Sequence, residues 1–404
     1  MDNMDSSKKK ILIIHHGGSL GGGLYALLGV IEELRVNNEV EVLTIFNGVA
    51  ADYIRRLGIT TRLPHSKFYA KHYGVFAHSA ASYFEVSEFL IKAKFFVSYL
   101  LSKYFFAQKE LDRISSEFDL VYLNSSFISD WARAAKRLNK KVIIHIREPL
   151  SKGLFGFRKS VIRNTIKKYC DRIIAITKDN ASRVNIPNKT TIIYDPVVTE
   201  NRNETTKIEI DETYKYFTYV GGMLRIKGFE QMVRSLEYLN DNVRIFFLGK
   251  DVNHNYSGIK KTIRYLISPY SRLHNDLVRK LKESDKVIFI GQTDDVFSYI
   301  KVSVALISPF SRPHAALPIL EAFSLGVPVI VSDIEGMNEV VVEDKNGFFF
   351  KNGDPKSLAN KINRMLLLSQ RQYNTMKTNS IATYSRIRRD EISVSSVVEM
   401  LLSN

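Results

Sequence analysis

Lys10-Ile11-Leu12-Ile13-Ile14-His15-His16-Gly17-Gly18-Ser19-Leu20-Gly21-Gly22-Gly23 is the stretch on which the fold turns. An unbroken apolar run of strand length stops at two histidines and gives way to glycine. Leu24, Leu27, Leu28, Ile31 and Leu34 then recur at helical spacing. A strand apolar at every position is covered on both faces, and a helix follows it directly. That pairing predicts α/β architecture with a parallel, doubly wound sheet.

The pattern continues outward. Strand-like runs recur at 39–46, 120–123, 142–146 and 173–176. A polar stretch, 198–215, reads as a linker, after which the pattern restarts: a strand at 216–220 ends in Gly221-Gly222, and a helical segment begins at Phe229. Further strands are expected at 243–248, 287–290, 305–307 and 327–331, one or two helices within 251–284, and helices from 356 to the end. The expected domains are 1–200, 201–375 and a helical tail, 376–404, crossing back to the first domain. Two Rossmann-like halves are expected to face each other across a cleft, with ligands beyond the carboxyl ends of the strands.

Composition narrows the function classes. The 404 residues suit two domains, and 45% apolar with 25% charged residues is ordinary for a globular chain. One cysteine, Cys170, excludes a disulfide framework and a cysteine-rich zinc site, and reads as a small buried thiol. Only Ile11–Ile14 follow the early lysines, too few for a signal-peptide core, which predicts a cytoplasmic location. The formal net charge of +16 calls for an anionic partner. The surplus is uneven: 131–170 holds 12 basic residues and one acid, Glu148. No nucleic-acid-binding motif accompanies it, so nucleic acid is not the expected partner.

Three segments carry the chemistry. In the glycine loop 17–23, backbone N–H groups and the following helix N-terminus favour a phosphate; the alternative is a tight turn. In Val220-Gly221-Gly222-Met223-Leu224-Arg225-Ile226-Lys227-Gly228, two cations follow a strand end, which suits a diphosphate; the alternative is a solvated loop. In Ser308-Pro309-Phe310-Ser311-Arg312-Pro313-His314-Ala315-Ala316-Leu317-Pro318-Ile319-Leu320-Glu321-Ala322, Pro318 suits a first helical turn. The N–H groups of Leu317, Ile319 and Leu320 would form an anion site. Glu321 can accept two hydroxyl hydrogen bonds from a ribose, or merely complement the helix dipole.

The order of these pieces resembles the GT-B glycosyltransferases, specifically the retaining sugar-nucleotide enzymes of glycosyltransferase family 4 (glycosyltransferase group 1). Gly21-Gly22-Gly23 resembles the family's N-terminal glycine loop, and His145-Ile146-Arg147-Glu148 its acceptor-side strand end. Residues 220–228 resemble its donor-phosphate loop and 318–328 its signature helix. The resemblance implies transfer of a sugar from a nucleotide-diphosphate donor, UDP- before GDP-, to an acceptor hydroxyl with retention (EC 2.4, hexosyltransferase type). It implies catalytic roles for His145, Arg225 and Lys227, and donor contacts at Gly22, Gly23, Gly222, Gln292, His314, Leu317, Ile319 and Glu321. No cofactor or metal is expected. His145 is read either as a ligand contact or as a structural histidine.

The pattern also departs from the family. Glu321 matches the second of the family's two glutamates, but Pro313 stands at the first, where Ser311, Arg312 or His314 could substitute. Gly222 stands at the usual phosphate arginine, with Arg225 and Lys227 supplying cations. Asp195-Pro196 replaces a frequent Asn-Gly. Two other functions remain: a GT-B sugar-nucleotide epimerase, and a non-catalytic sugar-nucleotide-binding subunit.

Residues 89–106, FLIKAKFFVSYLLSKYFF, are too broken by Lys92, Lys94 and Lys103 to span a bilayer. Apolar and aromatic residues with interspersed lysines suit a helix lying on anionic lipid, all three lysines reaching water; the alternative is a core helix. Together with 154–168 this predicts a peripheral protein on the inner face of the plasma membrane. The expected acceptor is a lipid-linked glycan or a lipopolysaccharide or polysaccharide intermediate.

Overall fold

Residues 11–14 are buried inside β1 (Lys9–His15) with side chains on both faces of a sheet. Ile11 and Ile13 meet Leu24, Leu27 and Ile31 of the helix Gly22–Arg35, while Leu12 and Ile14 belong to the core around Trp131 on the other face. The computed structural model describes residues 8–18, 20–76, 89–197, 207–251, 269–314, 317–390 and 392–403. They form two units: one takes the described residues up to 197 together with 392–403, the other 207–390.

In the first unit β1 is joined by β2 (Asn38–Thr44), β3 (Thr61–Arg62), β4 (Leu120–Leu123), β5 (Lys141–Ile146), β6 (Arg172–Ala175) and β7 (Thr190–Ile192). The sheet is wholly parallel, in the order β3-β2-β1-β4-β5-β6-β7. The second unit holds β8 (Lys215–Val220), β9 (Val243–Leu248), β10 (Val287–Gly291), β11 (Ala305–Ser308), β12 (Val329–Ser332) and β13 (Gly347–Phe350). Its order, β10-β9-β8-β11-β12-β13, repeats the first six strands of the first sheet. Both are Rossmann-like. The order reverses between β1 and β4 in one sheet and between β8 and β11 in the other, and the loops beyond those strands frame a ligand position in each.

The short edge strands β3, β7 and β13 were not expected. Each pairs on one side only, and two to four residues carry too little pattern to read. The stretch from 376 onward, expected as one tail, is divided. The helix Gln370–Arg389 packs against Leu317–Ser324 inside the second unit. Only the helix Val394–Leu402 joins the first, placing Val394, Val397, Val398 and Leu401 in its core. Cys170 is buried and unbonded, as expected.

Residues 89–106 are not a uniform helix. An α-helix, Phe89–Leu101, runs into a π-helical turn, Ser102–Phe106. Ser98, Tyr99 and Ser102 face the core, whereas Ile91, Val97, Leu101 and Phe105 are exposed. Lys103 corrects the expectation that all three lysines reach water: it is 9% exposed, donates to Thr165 Oγ1 at 2.8 Å and lies over Tyr169.

Candidate functional site

In the second unit the chain leaves β8 through Gly221-Gly222 and enters the short turn Arg225–Lys227. The two glycine N–H groups do not present themselves to a ligand. Both donate to the Leu248 carbonyl, at 3.1 and 2.8 Å. What glycine provides is close approach: a Cβ on Gly222, whose φ is +55°, would sit 2.6 Å from the Lys250 carbonyl oxygen. The turn is tied to the loop after β11, where Ser311 Oγ donates to the Arg225 carbonyl at 2.9 Å and Ser311 N–H to that of Ile226 at 3.1 Å.

This lock places the cations. Lys227 Nζ lies 4.2 Å from the centroid of the Phe310 ring, against which His314 stacks at 4.8 Å. Arg225 diverges from it, with its guanidinium 4.1 Å from the Tyr270 ring on the helix Pro269–Glu283. Burial lowers the Lys227 ammonium to about 8, and the charge of Glu321 works in the opposite sense. Glu321 is 4% exposed in the helix Leu317–Ser324, one turn beyond a start at which N–H groups have no partner within the helix. The helix begins at Leu317, with Pro318 and Ile319 in its first turn and Ile319 packed into the core. Lys227, Phe310, His314 and Glu321 therefore gather at the β8/β11 crossover. Gln292 is exposed past the end of β10, two strands from β8 and so roughly 10 Å away. Ala315 and Ala316 lie outside the described residues.

In the first unit the ends of β1, β4 and β5 carry a buried polar network. Asn124 bridges His15 Nδ1 and Arg147 Nε, at 3.1 and 2.8 Å. Arg147 also pairs with Asp195 and reaches His145 Nδ1 at 3.3 Å, where the Tyr122 hydroxyl lies at 2.6 Å. His145 is fully buried, and burial together with Arg147 holds it neutral, far below the usual histidine range. Of the two readings of His145, its burial beside Tyr122 and Arg147 fits the structural histidine. Burial and the neighbouring His16 and Arg147 charges lower His15 to about 3. Glu148 is the partly exposed member of this strand end. It accepts from Ser125 Oγ at 2.9 Å, and burial pushes it up to about 7.

The glycine loop is open. Gly22 and Gly23 begin the helix Gly22–Arg35, whose first turn has neither a side-chain cap nor an acid. A Cβ on Gly21 or Gly23 would meet nothing within 4 Å, so the packing of the unit does not demand glycine there. Ser19 lies outside the described residues. Phe310, Tyr270 and the Arg147–Asp195 pair were missed in the sequence. Their only signals were an aromatic in the loop after β11, and a charge closing the apolar run 142–146.

Residues 200–383 match the family model described as glycosyl transferases group 1. An uncharacterized glycosyltransferase of Methanocaldococcus jannaschii is 23% identical over 66% of this chain and 70% of its own length. The capsular polysaccharide biosynthesis glycosyltransferase CapM of Staphylococcus aureus is 25% identical, over 37% of this chain and 36% of its own. Among solved structures, Anabaena HepE in complex with UDP-glucose superposes with a TM-score of 0.74 at 17% identity, over 98% of this chain and 99% of that one.

Proposed function

We propose, from the GT-B fold and the match of residues 200–383 to the glycosyl transferases group 1 model, that this chain is a glycosyltransferase that moves a hexose from a UDP-sugar to an acceptor hydroxyl with retention. The acceptor is a lipid-linked glycan or polysaccharide intermediate at a membrane face. The observation that carries the reading is Lys227 held at the β8/β11 crossover beside the helix bearing Glu321. The leaving group is a diphosphate, so stabilising its charge is the main electrostatic task. Lys227 and the Leu317 helix N-terminus supply that stabilisation, with Arg225 as the second cation of the turn. Glu321 holds the ribose, and His314, stacked on Phe310, takes the place of the family's first glutamate toward the sugar. No metal is required in this scheme, and activity is expected to survive chelation by EDTA. The bound UDP-glucose of Anabaena HepE supports UDP as the nucleotide, and the capsular role of CapM supports a polysaccharide product. Incubation with a panel of UDP- and GDP-sugars and a polyprenyl-diphosphate-linked acceptor tests it. Sugar transfer supports the reading. A free epimer or binding without turnover replaces it.

Two predictions arise here. Replacing Glu321 by Gln removes a charged acceptor of two hydroxyls. Hydrogen bonds of that kind contribute about 1.5–3 kcal/mol, so UDP affinity should fall roughly tenfold or more. Unchanged affinity in calorimetry would leave Glu321 as a dipole residue.

The second concerns pH. Lys227 binds a diphosphate as the ammonium, and its value of about 8 means that the charge is lost as pH rises through that point. UDP affinity should therefore drop about tenfold between pH 7 and pH 9. Lys227→Arg, charged throughout this range, should flatten the profile. A flat wild-type profile would remove Lys227 from the phosphate.

A further inference from the structure

We infer that the first unit docks on an anionic bilayer through the outer stripe of residues 97–105 and the aromatic loop 155–157. This deepens the membrane-face part of the proposed function and rests on it only for its purpose. Val97, Leu101 and Phe105 recur at four-residue steps, lie on one helical side and are 38–60% exposed. Their opposite side is anchored by Tyr99 and Ser102, so the stripe is fixed outward by the core.

The loop beside it has a stronger peculiarity. Phe155 is 99% exposed and held at φ +48°, between Gly153 at +70° and Gly156 at +79°. A bulky side chain in that region costs conformational energy, and full exposure returns no packing within the chain. Phe157, 53% exposed, meets Phe96 edge-on at 5.1 Å, so loop and helix form neighbouring surface.

The surrounding charge selects the occupant. The segment 89–106 contains no acid, and 131–170 contains 12 basic residues against one, of which Arg147 and Arg158 are buried and do not add to the surface charge. Arg133 lies 4.9 Å from the ring of Tyr104, which is itself exposed, and Lys168 flanks Tyr169 at 5.4 Å. A second copy of the chain would set these cations against their own kind. Anionic lipid headgroups match them, while the apolar stripe reaches the acyl boundary. Among the described residues no helix is long and apolar enough to cross a membrane.

The test is flotation of the full chain with phosphatidylcholine vesicles, alone and with about a quarter phosphatidylglycerol. Anionic vesicles should carry the protein and neutral ones much less; salt should weaken the association and leave a remainder. Val97→Asp with Leu101→Asp, both on the exposed side, should reduce binding at least about tenfold. Phe155→Gly guards against misfolding as an explanation. It relaxes the backbone, so thermal stability should hold or rise while vesicle binding falls severalfold. Lys103 is avoided because it is buried. UDP binding should be unchanged in all these variants, which separates failure of this surface from failure of the transferase reading. Equal binding to both vesicle types, none to either, or Asp variants that bind as wild type would overturn the inference. So would a wild-type dimer that these substitutions dissociate, which would make the stripe a self-interface.

Discussion

Replacing Lys227 by Ala is expected to lower sugar transfer by about two to three orders of magnitude, the usual effect of removing one preorganised group that stabilises transition-state charge. Its effect on folding should be opposite in sign. Burial depresses the folded-state value to about 8, below that of an exposed lysine, so the folded protein disfavours the charged ammonium at neutral pH. Removing the group should leave thermal stability unchanged or slightly raised. This split distinguishes a functional cation from a structural one, because a solvated loop lysine would move neither quantity. Near-wild-type transfer would discard the diphosphate assignment, and loss of transfer with loss of fold would reassign Lys227 to structure.

Arg147→Ala should have the largest effect on stability. Arg147 is 5% exposed, pairs with the buried Asp195 and also donates to Asn124. Its loss takes the guanidinium away from a buried carboxylate. Breaking such a pair typically costs about 3–5 kcal/mol, which for a unit of this size lowers the melting temperature by on the order of 10 °C. A double replacement, Arg147→Met with Asp195→Leu, should recover much of that loss because no charge then remains buried. A single variant that melts like wild type would show that the pair is not a structural element.

The two predictions draw on different levels of information. Lys227 was legible in the sequence because a cation just past an apolar strand and two glycines is a local pattern, complete within nine residues. Glu321 was legible for the same reason, lying one turn past Pro318 in a single helix. The Arg147–Asp195 pair was not. Its partners are 48 residues apart and come together only because the segment following β7 reaches back past β6 to the end of β5. The burial of His145 is not legible on the same ground: a strand end predicts direction along the sheet, not the depth of cover supplied by neighbouring segments.

Sequence alone determined the alternation of buried strand and amphipathic helix, the restart near residue 215 and the cationic bias of 131–170. These are properties of periodicity and composition, which short-range physics imposes wherever the chain folds. Tertiary structure decided how the glycines and lysines are used. Gly221 and Gly222 donate to Leu248 rather than to a ligand, and Lys103 turns inward to Thr165. Arg225 and Lys227, two residues apart, settle on Tyr270 and Phe310. In each case the outcome depends on a hydrogen-bond or ring partner distant in sequence. A polar group leaving water takes the partner that packing brings to it, which no local pattern specifies.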